Sequence, residues 1–270
     1  MADEMQKGQW SNPKDLGVVA THSILLHTGK VLMFSFDEKN ETQPRKVNAK
    51  VFDPMTEEVI PVDRPPKFPK PRNLFCGGHC MLPDGRLLVV GGNDWYWGPH
   101  YDVHTFHPET LSWTEHKSMR KGRYYPTCTT LPDGTAFISS GAKFRFLFGI
   151  VFINKSYEIF DSQKNSLTHK GRFASGRFLS MYPFVHVLPS GDLFVHSKNE
   201  TRLFDPRTFI MAFWQLPDAI SKHAYLPRSR HLCAATPRSR QTKPSSIACR
   251  RWCGRNKDRF RRAYPRDGYG

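Results

Sequence analysis

Cys76 and Tyr125 occupy the same place in two successive copies of an internal repeat. One copy runs from Cys76 through Gly-Gly-His-Cys-Met-Leu-Pro to Asp84, and the other from Tyr125 through Pro-Thr-Cys-Thr-Thr-Leu-Pro to Asp133. In each copy the first residue precedes the Asp of an Asp-Gly turn by eight positions. Equivalent residues of successive repeats are neighbours around a shared axis. The sequence therefore predicts a thiol beside a phenol, a pair of groups that can do redox chemistry.

The repeat itself predicts the elements that position this pair. Apolar, strand-like runs meet at Gly-containing turns four times, and such turns between β-rich runs are strong hairpin signals. The turn glycines are spaced by 56, 49 and 57 residues, at Gly29, Gly85, Gly134 and Gly191. A period near fifty residues is typical of kelch-type propeller blades. We predict an all-β, incomplete kelch-like β-propeller of about four four-stranded blades over residues 16–217, after an N-terminal segment, 1–15. The alternative is an ordinary β-sandwich with coincidental turns.

The charge is concentrated at the C-terminal end of the sequence. Of the net charge of +16, the last 53 residues, 218–270, contribute +11, because they hold 14 Lys and Arg against 3 Asp and Glu. This stretch is rich in Arg, Ser and Pro and lacks the alternating apolar pattern, so it cannot bury enough apolar surface to order as the blades do. We predict a basic, unpatterned tail over 218–270, and our hypothesis is that it is either disordered or the product of a reading-frame change.

Composition excludes several classes of protein. No apolar run approaches the ~20 residues that a membrane span needs, so no membrane partner is expected. The first residues contain no basic region followed by an apolar one, so no signal peptide is visible and the location in the cell stays open. Six cysteines at irregular spacings do not suggest a disulfide framework. The basic tail favours non-specific electrostatic attraction over specific nucleic-acid binding.

Four motifs together resemble one known family. They are the segments Asn73-Leu-Phe-Cys-Gly-Gly, Leu82-Pro-Asp-Gly-Arg-Leu-Leu-Val-Val-Gly-Gly-Asn, Gly122-Arg-Tyr-Tyr-Pro-Thr and Tyr182-Pro-Phe-Val-His. The sequence resembles the galactose oxidase and glyoxal oxidase family of copper-radical oxidases, which are built on a seven-bladed kelch-like propeller. The resemblance covers residues 16–217.

The resemblance implies a chemistry and a set of roles. It implies a thioether between Cys76 and Tyr125, with Tyr125 as a copper ligand and the holder of the radical. Tyr124 is the second choice, because it lies nine rather than eight positions before its turn. The implied reaction is oxidation of an aldehyde, alcohol or sugar by O2, which gives H2O2, with copper as cofactor.

The remaining ligands that the resemblance implies, a Tyr-His pair from a later blade and a His from a C-terminal domain, have no counterpart in the sequence. We therefore expect this chain to hold copper poorly on its own and to be a truncated, inactive relative of the oxidases. The alternative function is a non-catalytic kelch-type module that binds a protein or a glycan. The substrate and the oligomeric state are left open.

Other residues are candidates for the wall of the axis. Tyr182 precedes the turn of the fourth repeat by eight positions, and His79 and Trp95 lie close to the Cys76 motif. For His22, His79 and His186 we favour hydrogen bonds to the backbone of a neighbouring blade over metal binding. Trp95 either covers the site or seals the seam between two blades.

Overall fold

A computed structural model of the chain describes residues 12–36, 47–63, 74–94, 98–145, 151–173 and 179–214. Within these ranges the chain is all-β and contains no helix, so no described element could cross a membrane as a helix. Trp95 and the predicted tail, 218–270, lie outside the described residues. All the described strands belong to one compact unit of the chain.

Sixteen of the strands form four antiparallel sheets of four strands each, which we call blades 1 to 4. Blade 1 contains β1 (His22–Leu25), β2 (Val31–Phe36), β3 (Val47–Phe52) and β4 (Val59–Pro61). Blade 2 contains β5 (Gly77–Met81), β6 (Leu87–Gly91), β9 (Val103–His107) and β10 (Ser112–Glu115). Blade 3 contains β11 (Thr127–Thr130), β12 (Thr135–Ser139), β15 (Ser156–Asp161) and β16 (Ser166–Arg172). Blade 4 contains β17 (Phe184–Val187), β18 (Leu193–Ser197), β19 (Glu200–Asp205) and β20 (Ile210–Trp214).

Two short ribbons interrupt the middle blades between their second and third strands. One pairs β7 (Asn93–Asp94) with β8 (Gly98–Pro99), and the other pairs β13 (Ala142–Arg145) with β14 (Val151–Ile153). The ribbons were not predicted. The prediction of an all-β chain built from four-stranded, propeller-like blades is confirmed, and the four blades form an incomplete propeller.

The first hairpin of each blade closes at the predicted Gly turn. Gly85 and Gly134 both have a φ of 83°, in the left-handed region that favours glycine. The carboxylate of Asp84 accepts the N–H of Arg86, and that of Asp133 accepts the N–H of Thr135. The Asp-Gly pair thus supplies both the backbone conformation and an acceptor for the turn.

The last hairpin of each blade is equally regular. Asp53 and Asp205 accept the N–H two residues later, and the residue four positions after each, Glu57 and Phe209, has a positive φ. The equivalent residues of the middle blades, Leu111 and Asn165, also have positive φ. The four blades therefore share a second turn of fixed conformation, although its sequence varies.

The apolar core lies between consecutive blades. Strand β6 is buried along its whole length. Because side chains alternate between the faces of a strand, Leu87 and Val89 join the cluster shared with blade 1, and Leu88 and Val90 join the cluster shared with blade 3. A third cluster lies between blades 3 and 4. This stacking brings the first strands of blades 2, 3 and 4 next to one another, since β11 contacts both β5 and β17.

Candidate active site at the inner edge of the blades

Three equivalent residues lie just before the first strands of blades 2, 3 and 4. Cys76, Tyr125 and Tyr182 have φ values of 61°, 60° and 47°. The amide of Tyr125 donates to the carbonyl of Cys76 over 2.8 Å, and the amide of Tyr182 donates to the carbonyl of Tyr125 over 2.9 Å. A run of backbone hydrogen bonds therefore joins the blades at the residues that the repeat predicted to be neighbours.

A histidine from blade 1 continues this run. The amide of Cys76 donates to Nε2 of His22 over 3.1 Å, as we predicted for a histidine facing a neighbouring blade. His22 is 7% exposed, and its burial, helped by nearby His79, lowers its pKa to about 4. Neutral His22 can accept this hydrogen bond, whereas the protonated ring has no acceptor.

Acid is expected to destabilise the chain through His22. Its pKa is about 4 in the folded state and near 6.5 when unfolded, so the unfolded state binds more protons between these values. The contribution of His22 to the free energy of unfolding is fully present above about pH 6.5 and is lost as the pH falls towards 4. Urea unfolding of the wild type at about pH 7 and about pH 5 should show this fall. The His22→Gln variant keeps an acceptor that does not titrate, and its fall should be smaller. An equal fall in both proteins would assign the effect to other groups, with His79→Gln as the next variant to measure.

Two phenols approach the thiol of Cys76. The hydroxyl of Tyr124 donates to the hydroxyl of Tyr125 over 3.0 Å, and their ring centroids are 3.9 Å apart. Burial raises the pKa of the Cys76 thiol, and interactions with both hydroxyls oppose that rise. On the other side, Tyr182 packs its ring 4.9 Å from the Tyr125 ring and donates its hydroxyl to the carbonyl of Gly77 over 2.8 Å. The sulfur and the Tyr125 ring are thus held in one cluster.

All the acidic groups of this cluster keep their protons at neutral pH. Burial raises the pKa of the Cys76 thiol. Burial also raises the pKa of the phenols of Tyr124, Tyr125 and Tyr182. A neutral thiol is a weak nucleophile and a neutral phenol is a weak base. The cluster is therefore better suited to losing electrons together with protons than to nucleophilic or general-base catalysis.

A cavity of about 410 Å³ opens onto this cluster. Its wall includes Cys76, Tyr125 and Tyr182, and also His22 and His79. Cavities of a few hundred Å³ are the size that small ligands occupy. The cavity therefore gives a small molecule access to the sulfur and the Tyr125 ring. Trp95, predicted to lie near this wall, is outside the described residues.

A buried ion pair anchors the segment that carries the two tyrosines. Arg123 is 0% exposed, and its guanidinium donates to Oε2 of Glu158 over 2.9 Å. It also donates to the carbonyls of Ser140 and Ser156. The Arg123 backbone is held from the other side, because its amide donates to the carbonyl of His100 over 2.9 Å. Contacts with blade 3 therefore fix the position of Arg123, the residue directly before Tyr124.

Sequence reasoning did not select Arg123 or Glu158. The signal available was a charged residue inside an apolar strand run, since Glu158 stands between Tyr157 and Ile159. An acidic residue at such a position is rarely buried without a cation to pair with.

The described residues do not complete a copper site. In the described part of the chain, no three or more His, Cys, Asp or Glu side chains are grouped so that they could hold a metal ion. Nε2 of His22 already accepts the Cys76 amide. The phenol of Tyr125 faces the cavity, but Cu(II) prefers several nitrogen and oxygen donors in a tetragonal arrangement. The described residues alone therefore do not hold copper.

Comparison with known proteins agrees with this arrangement. The family described as glyoxal oxidase N-terminus matches residues 52–227, more than half of the chain. The chain belongs to the glyoxal oxidase family. The part matched is the N-terminal region of that family, and the match ends ten residues beyond the blade boundary predicted at 217.

Individual members and relatives of the glyoxal oxidase family are similar at moderate identity. An aldehyde oxidase of Arabidopsis thaliana is 27% identical over 232 residues, which cover 78% of this chain and 36% of that protein. An aldehyde oxidase of Vitis pseudoreticulata is 28% identical over 147 residues, 49% of this chain and 25% of that protein. A galactose oxidase of Gibberella zeae is 31% identical over 140 residues, 50% of this chain and 19% of that protein. This glyoxal oxidase family chain thus spans about a third or less of the length of these relatives.

Proposed function

We propose that this chain supplies the cysteine–tyrosine part of an oxidase active site whose substrate is an aldehyde, a primary alcohol or a sugar alcohol group. The observation that carries the proposal is the placement of Cys76 beside Tyr125, joined by a backbone hydrogen bond, at the wall of an open cavity. Membership of the glyoxal oxidase family supports it, as do the names of the relatives, aldehyde oxidase and galactose oxidase.

The central step is a thioether bond between Cys76 Sγ and the Tyr125 ring carbon next to its hydroxyl. The backbone hydrogen bond between Tyr125 and Cys76 places the two side chains at neighbouring positions in the cavity wall. The S–H and C–H bonds break, one S–C bond forms, and the two hydrogens leave with two electrons. Dioxygen accepts them and becomes H2O2. The sulfur then donates electron density to the ring, which makes the phenol easier to oxidise.

The neighbouring residues hold this pair in place. Tyr182 packs against one side of the Tyr125 ring, while the Tyr124 hydroxyl donates to the Tyr125 hydroxyl. Arg123 fixes the backbone directly before both tyrosines. Copper would supply a second one-electron centre, and the described residues do not hold it alone. We therefore propose that substrate turnover needs groups outside the described residues and that the isolated chain releases no peroxide when an aldehyde is added.

Peptide mapping by mass spectrometry tests the thioether. The folded protein is exposed to copper and air, and separately to hexachloroiridate, a one-electron oxidant that does not depend on a metal site. Trypsin releases Cys76 in peptide 73–86 and Tyr125 in peptide 124–143. We expect these peptides to become joined with the loss of two hydrogens, and the link to survive dithiothreitol because a thioether is not reducible.

Matched variants identify the atoms involved. Cys76→Ser and Tyr125→Phe should abolish the non-reducible link, whereas Tyr124→Phe should retain it. A link that persists in Tyr125→Phe and disappears in Tyr124→Phe would move the proposal to Tyr124. If neither oxidant joins the peptides in folded protein, the thioether proposal is wrong. The alternative, a kelch-type binding module, predicts that outcome.

A further inference from the structure

Two other thiols face each other across the seam between blades 2 and 3. Cys80 lies on β5 and Cys128 lies on β11, and these two strands are in contact. Both side chains pack against the apolar cluster between blades 2 and 3. Both cysteines are free and only partly buried, and Cys128 lies in the wall of the cavity. The thioether chemistry described above uses neither of them.

The strand geometry places these thiols side by side. Side chains two residues apart lie on the same face of a strand, so Gly78 and Cys80 both face β11. A Cβ atom at Gly78 would lie 3.1 Å from the Cys128 sulfur and 2.6 Å from the Pro126 carbonyl oxygen. The glycine therefore leaves the space that the Cys128 side chain occupies. On β11, Thr130 is two residues beyond Cys128, and its hydroxyl also donates to the carbonyl of Met81 across the seam.

We propose that Cys80 and Cys128 are a dithiol that hydrogen peroxide converts into a disulfide between blades 2 and 3. One of the two sulfurs attacks one peroxide oxygen, the O–O bond breaks, and that cysteine becomes a sulfenic acid with release of one water. The other sulfur then attacks the first sulfur and displaces the second water. In total two S–H bonds are lost, one S–S bond is formed, and the peroxide is reduced to two waters.

The two sulfurs act as a pair. Burial raises the pKa of Cys128, and the neighbouring Cys128 thiol acts to lower the pKa of Cys80. The thiolate is the reactive form of cysteine. Either sulfur can therefore take either role: the one that first loses its proton attacks peroxide, and the other resolves the sulfenic acid. The Cys128 sulfur lies in the wall of the cavity, which gives peroxide a route to the pair. This inference does not depend on the proposed oxidase function, since peroxide can come from any source.

The disulfide would act on the same two strands that carry the Cys76 cluster. Cys80 follows Cys76 by four residues and Cys128 follows Tyr125 by three. A bond between them would hold β5 against β11 at the seam where the thiol of Cys76 meets Tyr125. The dithiol is thus a modification site placed to stiffen the wall of the cavity.

Peptide mapping after peroxide treatment tests the proposal. The folded full chain is treated with H2O2, free thiols are alkylated, and the protein is digested with trypsin. Cys80 shares peptide 73–86 with Cys76, and Cys128 shares peptide 124–143 with Tyr125. The disulfide and the thioether would therefore join the same two peptides. Dithiothreitol separates the cases, because it cleaves the disulfide alone, and fragment ions locate the linked residues.

The expected result is a paired loss of alkylation at Cys80 and Cys128, reversed by dithiothreitol, while Cys76 stays alkylated. The link should form at least about tenfold faster in folded protein than in urea, because folding provides the reactive thiolate and its partner. In Cys128→Ala and in Cys80→Ala no reducible link should form, and the remaining cysteine of the pair should stop at a sulfenic acid that dimedone traps. Cys76→Ala is the matched control and should form the disulfide normally.

Three outcomes would overturn the proposal. They are a Cys80 sulfinic acid without any link in the wild type, a disulfide between Cys76 and Cys80, and a reaction no faster in folded than in unfolded protein. Circular dichroism checks that each alanine variant is folded. Where one is not, the serine variant at the same position takes its place.

Discussion

Replacing Arg123 with methionine is expected to lower the free energy of unfolding by about 3–5 kcal/mol, because it leaves a buried carboxylate without its cation. Arg123 is fully buried and Glu158 is 1% exposed. The methionine also removes donors from the carbonyls of Ser140 and Ser156. In a protein of this size such a loss corresponds to a melting temperature lower by roughly 10 °C. Urea unfolding followed by tryptophan fluorescence measures the free energy, and calorimetry measures the melting temperature.

A double variant separates the lost ion pair from lost packing. In Arg123→Met combined with Glu158→Leu, neither charge is left unpaired, so part of the lost stability should return. The recovery will be partial, because Glu158 also accepts the amide of Arg120 over 2.8 Å. A cost below about 1 kcal/mol for the single Arg123 variant would mean that water reaches Glu158 and that the pair is not a buried anchor.

Truncating Phe204 to alanine is expected to lower the free energy of unfolding by about 3–5 kcal/mol, because apolar burial is lost and a cavity is left behind. Phe204 is 1% exposed. Its ring centroid lies 5.3 Å from each of the blade 3 rings of Phe137, Tyr157 and Phe173. Aromatic pairs at this separation add stability beyond the area that they bury. Phe204 therefore joins blade 4 to blade 3, and urea unfolding of Phe204→Ala should show this loss.

Phe184 provides the matched control on the same blade. It is also a phenylalanine in a blade 4 strand, but it is 63% exposed. Phe184→Ala should change the free energy of unfolding by no more than about 0.5 kcal/mol. If Phe204→Ala and Phe184→Ala lower the free energy of unfolding equally, the aromatic cluster does not hold blade 4 against blade 3.

The fold could be predicted from the sequence because its signals are local and repeated. The Asp84-Gly85 and Asp133-Gly134 turns each fix a hairpin. The continuous apolar run of β6 predicts a strand that is buried on both faces. The two ribbons inserted in blades 2 and 3 escaped prediction, since strands of two to four residues are too short to show a period. The turn between the third and fourth strands of each blade could not be predicted. Its positive-φ residues are Glu57, Leu111, Asn165 and Phe209, and their side chains have nothing in common.

The site could be predicted in part for the same reason. Counting back from the turns aligned Cys76 with Tyr125, and the backbone hydrogen bond between them reflects that register. The count places Tyr125 rather than Tyr124 in register with Cys76, although Tyr124 is the direct neighbour of Tyr125 and the two hydroxyls are hydrogen-bonded. Arg123 and Glu158 are 35 residues apart and resemble surface charges in the sequence. Their pairing depends on how two blades pack, which no local pattern records.

Cys76, Tyr125 and Tyr182 have a left-handed backbone conformation, which lowers stability at the positions that carry the reactive side chains. A residue with a side chain costs about 1–2 kcal/mol more than glycine in this conformation. Glycine would avoid this strain at all three positions, yet the chain carries a buried cysteine and two tyrosines whose rings pack together. The conformation itself is held by amide and carbonyl groups, which every residue except proline possesses. These backbone hydrogen bonds do not depend on which side chain is present, so each blade can change the residue at this position while its backbone path stays the same.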